Sequence, residues 1–83
     1  MSDGQAAATR WRRSERGRYV GVAPWGALLE IERRRAEAGE PGGWFLFGEL
    51  PSGGVIGGEW MGSRLPDALT TATAWVGARV EQR

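Results

Sequence analysis

One segment constrains the fold of this chain more than any other: the run GWFLFGEL at residues 43–50, which ends at Pro51. Aromatic and aliphatic side chains at this density are typical of a β-strand. Successive side chains of a strand point to opposite faces of the sheet. The two faces of this strand would hold Trp44, Leu46 and Leu50 on one side, and Phe45 and Phe47 on the other. A sheet built around this strand therefore needs cover on both of its faces.

The clearest helix signal is at the C-terminal end, in LPDALTTATAWVGARVEQR at residues 65–83. Apolar side chains recur there at the spacing of one helical face. The stripe consists of Leu65, Leu69, Ala72, Val76 and Val80. Pro66 is tolerated in a first turn, and Asp67 complements the positive end of the helix dipole. A helix of this length can cover one face of a small sheet.

Residues 26–38, GALLEIERRRAEA, are open to two interpretations. Their helix propensity is high, but Glu32 and Arg35 fall among the apolar positions of the helical face. As a strand, the segment alternates cleanly, with Leu29 and Ile31 on one face. The flanking APWG motif, repeated in kind as LPSGG at 50–54, places Pro and Gly as a bulged hairpin turn requires. We therefore favour the strand.

Two further strands are predicted at residues 18–23, RYVGVA, and residues 54–61, GVIGGEWM, the latter kinked or bulged at its glycines. In the first hairpin, Val20 and Val22 are expected to share a face with Leu29, and Tyr19 to lie opposite with Leu28. The predicted fold is an α+β domain over residues 18–83. It is a four-stranded antiparallel β-meander packed on one face by a single C-terminal α-helix.

Residues 1–17 lack a sustained apolar period and are predicted to form a flexible basic arm. The first 18 residues carry five arginines and two acids, whereas the remaining 65 carry six arginines and eight acids. All eleven basic residues of the chain are arginine, and Lys and Asn are both absent. The joint absence favours a GC-rich genome over selection for phosphate contacts. The net charge of +1 alone indicates neither a nucleic-acid nor a membrane partner.

The chain lacks the side chains that most enzymes use as nucleophiles and general bases, because it contains no His, Cys or Lys. We therefore expect no enzymatic activity, no catalytic residue, no metal site and no cofactor. No stretch approaches the roughly 18 apolar residues of a membrane span, and the N-terminus has no signal-peptide pattern. Together with the absence of cysteine, this predicts a cytoplasmic protein with no membrane partner.

A lone helix leaves the second face of the sheet uncovered, and three occupants are possible: the arm through Trp11, a second copy of the chain, or a different protein. The leading hypothesis is a small non-enzymatic protein-interaction module, an inhibitor or regulatory adaptor. Its partner-binding candidates are Trp11, Tyr19, Trp25, Trp44 and Phe45. The alternative is a nucleic-acid-binding module, in which TRWRRSERGR interleaves arginines with an aromatic residue. Its candidates are Arg10, Arg12, Arg13, Arg33, Arg34 and Arg35.

The order of a meander followed by one helix, with GGEWMGSRLPDAL at residues 57–69 as the junction, loosely resembles HicB-type antitoxins. It also resembles DNA-binding modules made of three strands and a helix. In size and class the chain is similar to phage-encoded inhibitor proteins. The motifs of these families are not present, so the resemblance assigns no role to any residue.

Overall fold

The computed structural model describes the chain from Thr9 to Val80, and its side chains from Thr9 to Ala78. The elements in chain order are β1 (Arg10–Glu15), β2 (Arg18–Val22), β3 (Leu28–Arg34), β4 (Gly43–Glu49), β5 (Val55–Gly62) and α1 (Leu65–Val80). The strands form one antiparallel sheet in the order β1-β2-β3-β4-β5. The α+β class, the antiparallel meander and the C-terminal helix are confirmed, but the prediction of four strands is wrong because the sheet has five.

The additional strand is β1, which lies within the segment predicted to be a flexible arm. Backbone pairing with β2 across a two-residue turn, from Glu15 to Arg18, does not depend on apolar side chains. The one large apolar side chain of β1, Trp11, packs against the core. Its indole N–H donates a hydrogen bond to the Thr73 hydroxyl in α1 at 3.1 Å. Residues 1–8 of the predicted arm lie outside the described part of the chain.

The ambiguous segment is a strand, as favoured from its sequence. Ile31 is fully buried and Leu29 nearly so, whereas Glu30 and Glu32 lie half-buried on the opposite face. Tertiary context overrides the high helix propensity of this segment, because the strand places both aliphatic side chains in the core. The third arginine of the run, Arg35, lies beyond the last residue of the strand.

Both Pro-containing hairpins adopt the bulged turn. In the first, the Gly26 N–H donates to the Ala23 carbonyl at 2.9 Å, and the Ala23 N–H donates to the Ala27 carbonyl at 3.0 Å. Gly26 has a φ of 101°, and Gly53 at the matching position of the second turn has a φ of 99°. Glycine adopts this left-handed region without the steric cost that other residues incur.

The bulge at Gly26 adds one residue to the loop, which shifts the pairing of β2 with β3 by one position. Val22 pairs with Leu28, and Tyr19 pairs with Ile31. The predicted grouping of side chains in the first hairpin is therefore wrong. Tyr19 shares the face of Leu29, whereas Val20 and Val22 share the face of Leu28.

The last strand is irregular, as its glycines predicted. Its pairing with β4 shifts register twice, which leaves Gly58 and Met61 as extra residues. Bulges of this kind bend an edge strand and increase its twist. Beyond β5 the chain turns directly into α1, whose first residue is Leu65.

Helix α1 packs on the face that contains Leu29, Ile31 and Leu46. The helix residues that face the sheet and are fully buried are Ala68, Ala72 and Val76, and Leu65, Leu69 and Trp75 flank them partly buried. The predicted stripe is confirmed up to Val76, and the side chain of Val80 lies outside the described ones. Over residues 9–80, no helix has the length and apolar character needed to cross a membrane.

Candidate functional site

The sheet face away from α1, here called the open face, presents side chains in rows across the strands. Direct cross-strand partners in an antiparallel sheet point to the same side. The first row reads Arg10, Val22, Leu28, Glu49 and Val55, from β1 to β5. Its three aliphatic side chains are 55%, 56% and 74% exposed in that order along the row. They form an aliphatic strip at the end of the sheet where the two Pro-containing turns lie.

The second row makes this part of the open face into a groove of about 590 Å³. Across the strands it reads Arg12, Val20, Glu30, Phe47 and Gly57. Arginines therefore lie at the β1 side of the groove, carboxylates at the side of β3 and β4, and apolar side chains between them. The groove is thus polarised in charge from one edge to the other.

The third row reads Arg18, Glu32, Phe45 and Trp60, from β2 to β5, and ion pairs and aromatic rings connect it to the second row and to Arg34 at the end of β3. Arg18 Nε lies 2.9 Å from Glu30 Oε2, although its N–H is not aligned for a hydrogen bond. Arg34 Nε lies 3.5 Å from Glu32 Oε2, and the guanidinium carbon of Arg34 lies 4.9 Å from the centre of the Phe47 ring. Pairs this exposed contribute about 0–1 kcal/mol each. Their main consequence is that these charges are already neutralised, unlike those of Arg10, Arg12 and Glu49.

A second concavity, of about 600 Å³, lies at the end of the sheet where β3 ends and α1 begins. Its charged lining consists of arginines alone, from two separate parts of the chain. They are Arg16 in the β1–β2 turn, and Arg33, Arg34 and Arg35 at the end of β3. The two parts are joined by a backbone hydrogen bond from the Arg33 N–H to the Gly17 carbonyl at 2.9 Å. We call this surface the arginine cluster.

Most of the aromatic residues predicted to bind a partner lie on the covered face. Trp44 is buried, and the Tyr19 ring meets it edge-on with ring centres 6.0 Å apart. Trp11 is bonded to α1, and Trp25 lies partly buried in the first Pro-containing turn, against the core. Only Phe45 of the five is on the open face, half-buried below Arg34.

The six predicted nucleic-acid-binding arginines fall into two separate groups. Arg10 and Arg12 are exposed on the open face at the β1 edge, while Arg13 belongs to the other side of the same strand. The remaining three, Arg33, Arg34 and Arg35, lie in the arginine cluster. Because Trp11 is turned toward the helix, no aromatic ring accompanies the arginines of β1 in the way that the sequence hypothesis required.

Sequence reasoning missed the exposed residues that now define the two surfaces. Val22, Leu28 and Val55 were assigned no binding role, and neither were Arg16 and Trp60. For the aliphatic strip, the available signal was the positive-φ glycine after each Pro, which sets the register. For Trp60 no signal was available, because its exposure depends on the two bulges of β5.

The described residues include no group of three or more His, Cys, Asp or Glu side chains placed to hold a metal ion. Comparisons with protein-family models, with curated proteins and with solved structures found no match for this chain. The open face and the arginine cluster are therefore interpreted from their own geometry.

Proposed function

We propose that this chain is a non-enzymatic protein-interaction module that docks another folded protein surface on its open face. The observation that supports this function best is the aliphatic strip of Val22, Leu28 and Val55, each more than half exposed. Single exposed aliphatic residues are ordinary, but a row across one face in which three of the five positions are exposed aliphatic residues, interrupted by Glu49, is typical of an interface. The groove beside the strip adds concave apolar surface, and charges border it on two sides.

A second copy of the chain is the partner that the charge pattern favours. In the first row Arg10 lies near one end, Leu28 at the centre on β3, and Glu49 toward the other end. A twofold axis parallel to β3 places the β1 side of each copy above the β4–β5 side of the other. Arg10 then approaches the second copy's Glu49, and the two Leu28 side chains meet at the axis. Glu30, in the next row, is already paired with Arg18 and so adds no unpaired like charge.

The size of the face predicts a weak dimer. Four strand spacings of about 4.8 Å and about seven residues of about 3.3 Å give a face of roughly 19 by 23 Å. This is smaller than the roughly 800 Å² that each partner contributes to a standard interface. We therefore expect association in the micromolar to millimolar range, which suits a reversible adaptor or inhibitor.

Sedimentation equilibrium over a range of concentrations tests the proposal. We expect the unaltered chain to dimerise, and Leu28→Glu to be monomeric, because a charge would be buried at the axis. The matched control is Thr71→Glu, which adds the same charge to an exposed position of α1 and should leave the dimer intact. A chain that stays monomeric at about 1 mM would contradict the self-association.

A charge-exchange experiment identifies the orientation of the two copies. Glu49→Arg alone, and Arg10→Glu with Arg12→Glu, should each weaken the dimer by placing like charges together. Mixing the two variant chains should restore association, because both sets of facing charges are opposite in the heterodimer. If the mixture remains monomeric, the proposed twofold arrangement is wrong.

A further inference from the structure

The arginine cluster concentrates positive charge that the described part of the chain does not neutralise. Among the described residues, Arg16, Arg33 and Arg35 form no ion pair, and only Arg34 has an acidic partner, Glu32 at 3.5 Å. The concavity has no acidic residue in its lining. Folding brings these like charges together, so an anion bound among them would be stabilised by all of them.

The chemistry of the cluster favours an oxyanion over a halide ion, and several arginines together favour an anion with more than one negative charge, such as a phosphate chain. Guanidinium groups present a planar fork of N–H donors that matches the oxygens of a phosphate. Arginines from two different loops can bind neighbouring phosphates of one chain. Besides Glu32, the carboxylates of Glu37 and Glu40 lie on the adjoining surface, where they line a separate concavity together with Arg34 and Arg35.

An aromatic ring beside the cluster further restricts the class of ligand that we expect. The Trp60 indole is 48% exposed, and its N–H donates to the Gly42 carbonyl at 3.0 Å. Gly42 itself lines the arginine cluster. The hydrogen bond therefore holds an exposed indole of the open face against the loop that forms one wall of the arginine cluster. Stacking platforms beside positively charged grooves are how proteins hold single-stranded nucleic acids, because every base offers a flat face.

We propose that the arginine cluster and Trp60 form a binding site for single-stranded nucleic acid. Arg16, Arg33 and Arg35 contact phosphates, and Trp60 stacks on one base. The arginines lie at the opposite end of the sheet from the aliphatic strip, so nucleic-acid binding does not require the dimer proposed above, but Trp60 lies on the open face and a dimer that covers it would compete with binding. Leu28→Glu should abolish dimer formation without weakening nucleic-acid binding, which keeps the two proposals separable.

Fluorescence anisotropy of a labelled single-stranded oligonucleotide of about ten nucleotides tests the site. We expect Arg33→Ala with Arg35→Ala to weaken binding at least tenfold and to lower the salt dependence by about 1.4, since each phosphate contact contributes about 0.7. The matched control is Arg10→Ala with Arg12→Ala, which removes the same charge from β1 and should change both quantities much less. Equal losses in the two variants would mean that binding follows net charge alone and would overturn the proposal.

The same experiment distinguishes the contribution of Trp60 from that of the arginines. Trp60→Leu should weaken binding by about tenfold or more without changing its salt dependence, because stacking involves no counterion release. Trp60→Phe keeps an aromatic ring but loses the hydrogen bond to Gly42, and should retain most of the affinity. It also serves as the folding control. If the oligonucleotide fails to bind at low salt, or inorganic pyrophosphate binds and the oligonucleotide does not, the proposed ligand is wrong.

Discussion

The two faces of the sheet differ in burial even where they present the same types of side chain. Leu28 and Leu29 are neighbours in the chain, yet Leu28 is 56% exposed and Leu29 only 4%. The same contrast holds along β4, where Leu46 is fully buried and Phe47 is only half-buried. Successive side chains of a strand point to opposite faces, so each of these pairs places one residue beneath α1 and the other on the uncovered face. The open face therefore presents aliphatic and aromatic side chains among its charges, and no element of the described chain covers it.

The sharpest test of this contrast is the same truncation on each face. Leu46→Ala should lower the free energy of unfolding by about 2–5 kcal/mol, because it leaves a cavity beneath α1. Leu28→Ala removes the same atoms from an exposed position and should change it by no more than about 0.5 kcal/mol. Urea denaturation measures both. Equal losses would mean that the open face is covered in solution, as it would be in the proposed dimer, so the measurement needs dilute protein.

Glycines on the two faces allow the converse experiment, the addition of a methyl group. Gly48 pairs with Leu29 on the covered face, and a Cβ there would lie 2.5 Å from the Leu28 carbonyl oxygen. Gly48→Ala should therefore cost about 1–3 kcal/mol, as overpacking does. Gly57 is on the open face, where a Cβ would meet nothing within 4 Å.

Gly57→Ala should accordingly be neutral or stabilise the fold by about 0.5–1 kcal/mol, since alanine loses less backbone entropy than glycine on folding. Thermal unfolding of Gly48→Ala and Gly57→Ala, followed by circular dichroism, measures the difference in stability between the two variants. A destabilised Gly57→Ala chain would show that something occupies the open face at that point.

A smaller effect is expected from the contact that connects β1 to the covered face. Thr73 accepts the Trp11 N–H and donates its own hydrogen to the Leu69 carbonyl at 2.9 Å. Thr73→Val keeps the shape of the side chain and should cost about 0.5–1.5 kcal/mol, mainly by leaving the indole N–H without its acceptor. The control, Thr70→Val, alters an exposed threonine of the same helix and should cost less. A double-mutant cycle with Trp11→Phe isolates the hydrogen bond, and a coupling energy near zero would show that it contributes nothing.

Much of the fold could be predicted because several elements carry a local signal. The aromatic run of β4, the apolar stripe of α1 and the Pro and Gly residues of both turns each indicate their own structure. Predicting the strand over Leu28–Arg34 required more than one signal. Its high helix propensity argued against a strand, whereas its alternation of apolar and polar residues and its flanking turns argued for one. Local signals of this kind agree with the global fold, which is what makes them informative.

The first strand and the open face could not be predicted in the same way. The sequence RWRRSE of β1 has one apolar residue. The strand is held in place by backbone pairing with β2 and by a hydrogen bond from Trp11 to a residue 62 positions away. The place of Val22 beside Leu28 on the open face follows from the one-residue shift in the register of β2 with β3, which the amino-acid composition does not reveal. Arg16 joins Arg33 and Arg35 only because two turns meet at one end of the sheet.

The hydrogen bond from the Trp11 indole N–H to a hydroxyl 62 positions further along the chain has a consequence for biosynthesis. A ribosome makes β1 well before it makes the threonine that accepts this hydrogen bond. β1 can pair with β2 early, but its contact with α1 cannot form until Thr73 has emerged. The outer edge of β1 stays unpaired before and after that step, and the arginines of this strand discourage nascent chains from pairing with one another there.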